Sequence, residues 1–105
     1  MRLLRRAGYR IEQREVTATV RALVDGRAEE YRVRVDVVVS RRRRIYVAEI
    51  KAGPDSATLA NRFTRRQLLE YAHAFREADG LILVDAHRGR IQRVEFPGLL
   101  RSGKE

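Results

Sequence analysis

Residues 31–53 read YRVRVDVVVSRRRRIYVAEIKAG, and the fold follows from how this stretch turns back on itself. Both arms are rich in β-branched residues, and between them lies Ser40-Arg41-Arg42-Arg43-Arg44. This is the pattern of two strands joined by a hairpin. A turn centred on Arg42 and Arg43 sets Arg41 opposite Arg44, Val38 opposite Val47 and Asp36 opposite Glu49. The other face then pairs Val39 with Tyr46, Val37 with Ala48 and Val35 with Ile50. That face is wholly apolar and is expected to look into a core, because side chains alternate across a strand. The first face carries two facing carboxylates, with Arg34 and Lys51 close by.

Directly opposed residues of an antiparallel pair have Cβ atoms roughly 5 Å apart, and like charges there destabilise the sheet. Two carboxylates so placed call for a cation. A hard divalent ion takes oxygen ligands and keeps several waters, so one or two carboxylates plus a substrate phosphate complete its shell. The competing reading is a solvated face in which Asp36 and Glu49 pair with Arg34 and Lys51. Lysine usage bears on the choice. Of 23 basic residues only Lys51 and Lys104 are lysines. Lys51 projects on the same side as Glu49, two residues away. An ammonium is a compact point charge suited to a phosphate oxygen or an attacking water.

Asp36 followed at a distance by Glu49-Ile50-Lys51 resembles the Asp…Glu-x-Lys signature of the PD-(D/E)XK nuclease superfamily. Val35 stands where the name of the motif has proline. Gln67-Leu68-Leu69-Glu70-Tyr71 is similar to the Gln-x-x-x-Tyr element of RecB-type members. The resemblance runs from about Leu3 to Phe96. It implies a restriction-endonuclease-like core and Mg²⁺ (or Mn²⁺) held by Asp36, Glu49 and the Ile50 carbonyl. It also implies catalytic roles for Lys51, Gln67 and Tyr71 in phosphodiester hydrolysis. Many members place a further acid or histidine on the first helix, and residues 1–8 contain neither. A two-residue turn at Asp25-Gly26 would set Glu15 opposite Asp36 as a replacement ligand.

The remaining sequence is read without the motif. Leu3 to Gly8 is the end of a short helix, stopped by Gly8. Tyr9, Ile11, Val16, Ala18, Val20, Ala22 and Val24 alternate with polar residues up to Asp25-Gly26, a hairpin signal. Residues 27–30 extend that loop or begin the next strand. After residues 52–56 break the sheet, Asp55 or Ser56 is the expected cap of a helix that is clearest from Thr64 to Ala78. Leu68, Leu69, Ala72, Phe75 and Ala78 form its apolar stripe. Leu81 to Val84 reads as a buried central strand and Ile91 to Phe96 as an edge strand, with a flexible tail from about residue 99. The expected fold is α+β, in the order α-β-β-β-α-β-(β), with a mixed sheet flanked by helices in one domain over 1–105.

The formal net charge is +9, from 23 basic and 14 acidic residues. Such an excess on a small domain points to a polyanionic partner, with DNA the first expectation. Arg34, Arg41, Arg42, Arg43, Arg44, Arg65 and Arg66 are the candidate contacts. The absence of cysteine excludes disulfides and thiolate metal sites, and no stretch approaches the length of a membrane span. The expected setting is cytoplasmic, with nucleoid association as an option. His73 and His87 lack metal-ligand spacing to each other. The functional expectation is a Mg²⁺-dependent nuclease of repair, recombination or defence, as a homodimer or a subunit of a larger complex. The alternative is an inactive nuclease-fold module that binds nucleic acid or docks in a complex.

Overall fold

The computed structural model describes residues 1–99. Helix α1 (Arg2–Arg6) is followed by strands β1 (Arg10–Val24), β2 (Arg27–Arg41) and β3 (Arg44–Lys51). Helix α2 (Arg62–Ala74) then leads to β4 (Gly80–Asp85) and β5 (Arg90–Val94). The five strands form one mixed sheet in the order β1-β2-β3-β4-β5. All neighbours are antiparallel except β3 and β4, which run parallel through the α2 crossover. This is the expected element order, and residues 27–30 belong to β2.

Both hairpin turns are two residues long. Asp25 and Gly26 have φ of 51° and 80°, and Arg42 and Arg43 have φ of 53° and 67°. Positive φ at both central residues is the turn that matches the twist of paired strands. Arg41 pairs with Arg44, Val38 with Val47 and Val37 with Ala48, as the register argument requires.

The sheet separates two cores, so both faces of the β2–β3 hairpin are covered rather than one. Val47, Leu81 and Leu83 pack under Leu68, Tyr71 and Ala72 of α2. On the reverse face Tyr46, Ala48, Ile82 and Val84 pack with Leu4 of α1 and Tyr9. Every residue of β4 is buried, which explains its uninterrupted apolar run. Strand β2 passes from one core to the other at Asp36. Val33 and Val35 belong to the α2 core, and Val37 and Val39 to the α1 core.

Helix α1 ends at Arg6 with Ala7 as its C-cap, and Gly8 takes φ +90°. Arg41 Nη1 donates to Ala7 O at 3.0 Å, satisfying a carbonyl at the helix C-terminus. Helix α2 differs from expectation at both ends. Its cap is Asn61, whose Oδ1 accepts from Phe63 N and Thr64 N. Ser56 instead turns back to Gly53 O and receives Thr64 Oγ1 on its own carbonyl. The helix stops at Ala74, short of Ala78. Asp79 must reach Ile45, to whose backbone it is bonded by both N–H and carboxylate, so that Gly80 can start β4 beside Tyr46. Gly80 is also needed for space, because a Cβ there would lie 3.2 Å from the Tyr46 ring. The tail expected to be flexible falls mainly on residues 100–105, outside the described residues.

Candidate active site

The second half of β3 carries Glu49 and Lys51 on the α2 side of the sheet, in phase with Val47. Period-two alternation sends Val47 into the α2 core and Tyr46 and Ala48 into the α1 core. Tyr71 reaches the same place from the middle of α2. Its hydroxyl donates to Glu49 Oε1 at 2.5 Å. Gln67, one helical turn earlier on the same face, lies near enough to the Tyr71 hydroxyl to lower its proton affinity slightly. Lys51 Nζ lies 3.3 Å from Glu49 Oε2. Both oxygens of Glu49 are thus held from two directions.

Asp36 joins the group by a route that differs from expectation. The β2–β3 ladder ends at Val37–Ala48, so the pairs Asp36–Glu49 and Val35–Ile50 do not form. Asp36 Oδ2 accepts instead from Ile50 N at 3.0 Å. A side-chain acceptor here takes the place of a strand carbonyl, and β2 is free to cross between the two cores. Asp36 still acts on Glu49 through its charge.

Glu49 is only 4% exposed, and its proton affinity is raised above the ordinary glutamate value. Desolvation is the main cause. Repulsion by Asp36 adds to it, while the Tyr71 hydroxyl and Lys51 oppose it. Tyr71 is pushed up as well, first by burial and then by the Glu49 carboxylate that it contacts, so it stays a protonated donor.

The other expected site residues are placed less centrally. Glu15 falls across from Asp36 in the β1–β2 register, between the pairs Arg14–Val37 and Val16–Val35. It has φ +52° and is exposed. Among the described residues no three acids or histidines gather to hold a metal. Arg34 is exposed on β2, and Arg65 and Arg66 are exposed on α2, with Arg65 Nη1 donating to Leu59 O. Arg41 is not a free tip. It is tied to Ala7 and lies 4.4 Å over the Tyr9 ring. His73 and His87 are exposed.

Sequence reasoning missed Asp85. It ends β4 beside Lys51 in the parallel register and is fully buried. Arg88 N and Arg88 Nη1 donate to it, and Arg90 Nη2 lies 3.7 Å away. The Arg88 backbone and guanidinium hold its carboxyl below the usual aspartate range despite burial. An acid directly after the apolar run of residues 81–84 was the available signal.

No protein-family model matches the chain, and no curated protein matches it. Among solved structures it is similar to the protein described as "Crystal structure of SSO0001", at 26% identity and a TM-score of 0.62. The match covers 90% of this chain and 44% of that one, so the chain spans less than half the length of its neighbour. The fold of this chain, a mixed five-stranded sheet with two helices, is therefore similar to part of a solved protein. Among the described residues no helix is long and apolar enough to cross a membrane.

Proposed function

We propose that the chain is a metal-dependent nuclease with a restriction-endonuclease-like core, acting on nucleic acid and first of all on DNA. One observation carries this reading. Glu49, Lys51, Tyr71 and Gln67 meet at the C-terminal end of β3, where it runs parallel to β4, and Asp36 joins them from β2. In open α/β sheets ligands bind outside the carboxyl ends of parallel strands.

The donor set suits a hard divalent ion. Asp36 and Glu49 offer carboxylate oxygens, Glu49 is desolvated, and the two repel each other. A cation between them would answer both penalties. Asp36, Glu49 and the Ile50 carbonyl would hold it. Bound there, Mg²⁺ or Mn²⁺ supplies Lewis-acid polarisation of the phosphoryl group and a water of lowered pKa.

The chain's own residues supply the rest. Tyr71 fixes the Glu49 rotamer, and Gln67 stands one helical turn away on the same face. Lys51, with about a quarter of its side chain exposed, can turn its ammonium from Glu49 to a phosphate oxygen as negative charge develops. Exposed arginines on both faces supply salt-sensitive attraction to the backbone.

The second reading is a nuclease-fold module that binds without turnover, alone or in a larger complex. It draws on the lack of a third acid among the described residues. Incubation with labelled single-stranded, duplex and branched DNA and with RNA, in Mg²⁺, Mn²⁺ or EDTA, separates the two. Divalent-dependent cleavage that Asp36→Asn and Glu49→Gln abolish, with both variants folded, is the expected result. Binding without cleavage of any substrate in either metal selects the second reading.

A further inference from the structure

At the other end of β3, on the opposite face of the sheet, Arg41, Arg42, Arg44 and Arg93 surround a basin of about 370 Å³ with Tyr46 in its wall. Seven residue steps along the strand, roughly 23 Å, separate Arg44 from Lys51. No carboxylate lines this basin, and none of the four guanidiniums has an acidic partner among the described residues. We infer that it is a second anion site, built to take phosphate groups of a nucleic-acid backbone independently of the acid-bearing face.

Two features show that the cations are held in place. Arg41 is anchored by Ala7 O and lies over the Tyr9 ring, and the Arg93 guanidinium lies 5.1 Å over the Tyr46 ring. Tyr9 and Tyr46 meet edge to face with centroids 5.7 Å apart. The two arginines therefore rest on one aromatic floor, with planar donors suited to phosphate oxygens. The turn bears a further cost. Arg42 and Arg43 both sit in left-handed backbone, where Asn-Gly would fit with less strain. A non-glycine residue there is held in strained backbone. Strained backbone and uncompensated like charge coincide, and a bound phosphate offsets the charge.

The inference rests on the proposed function for its nucleic-acid ligand but not for metal or cleavage. Its test is therefore binding in EDTA, by fluorescence anisotropy with a 5′-labelled single-stranded oligonucleotide across a salt series. The double variant Arg44→Gln/Arg93→Gln should weaken binding roughly tenfold at low salt. It should also lower the slope of log affinity against log salt by about 1.4, since each neutralised phosphate of a single strand contributes about 0.7. Arg42→Asn/Arg43→Gly should raise the melting temperature and still weaken binding, which a purely structural turn would not do. Inorganic tripolyphosphate should compete only at much higher concentration. If tripolyphosphate binds the basin and the oligonucleotide does not, the ligand is a free polyphosphate and the backbone assignment is wrong. An unchanged salt slope in the folded double variant overturns the site itself. Absence of cleavage in Mg²⁺ overturns the nuclease reading alone.

Discussion

Tyr71 Oη lies 2.5 Å from Glu49 Oε1, joining the middle of α2 to the centre of the sheet. Both residues are buried, so neither can exchange this partner for water. The contact holds the helix over the sheet and fixes the carboxylate proposed above as a metal ligand.

Tyr71→Phe removes that donor and leaves the rest of the ring in the core. Hydrogen bonds to charged groups contribute roughly 1.5–3 kcal/mol, and the desolvated Glu49 would be left with Lys51 alone. The expected loss of stability in denaturant titration is of that size. Cleavage should fall further than stability explains, because Glu49 becomes free to change rotamer. An unaltered unfolding midpoint would show that the contact carries no weight.

Glu49 makes the metal-free protein sensitive to pH with a defined sign. Its proton affinity is raised above the ordinary value of 4.5 in the fold. The folded state therefore binds a proton that the unfolded state gives up, and the group's contribution to stability is lost as pH rises above 4.5. Asp85 acts in the other direction, since its lowered affinity contributes stability above the ordinary 3.8 that is lost on acidification. Glu49→Gln isolates the first effect. In EDTA the melting temperature of the variant relative to the parent should climb between pH 4.5 and neutrality. A flat difference across that range would remove desolvation as the dominant influence on Glu49.

The hairpin, its register near the turn and the order of elements were legible because burial punishes any slip of alternating residues. Both Asp25-Gly26 and Arg42-Arg43 could be placed by counting from the pairs that flank them. The part that escaped lies where alternation fails. Glu15 takes a left-handed backbone, Asp36 bonds to Ile50 N, and β2 changes cores there. Nothing in a run of valines marks that crossing. The cap at Asn61 was hidden because Asp55 and Ser56 are equally good capping residues, and only the turns of residues 54–60 decide between them. The early end of α2 was hidden for a similar reason, since Ala78 keeps its burial after the helix has stopped.

Gly80 opens β4 and makes room for Tyr46. An added methyl would lie 3.2 and 3.3 Å from two atoms of that ring, which is already packed against Tyr9. Gly80→Ala should destabilise the chain by about 1–3 kcal/mol, the usual cost of overpacking a core. The melting temperature measures this. Oligonucleotide binding in EDTA should weaken in parallel, because the displaced ring carries Arg93. Parent-like stability would mean that the ring has slack the structure does not display.

Lys51 is the residue at which charge and chemistry can be told apart. Arginine is the default cation of this chain, so Lys51→Arg keeps the charge and changes only its shape. A lysine that merely paired with Glu49 on a strand should tolerate the change, because partly exposed pairs contribute roughly 0–1 kcal/mol. An ammonium that meets a phosphate oxygen should not. The guanidinium is wide and planar, and at a distance of 3.3 Å from Glu49 it would settle into a two-pronged pair with the carboxylate rather than turn to substrate. Lys51→Arg is therefore expected to keep the fold, the affinity for divalent ions and the affinity for nucleic acid, and to lose most of the cleavage rate. Single-turnover cleavage at saturating protein isolates the chemical step from binding. Cleavage at the parent rate would remove Lys51 from the chemistry and leave Asp36 and Glu49 to carry it.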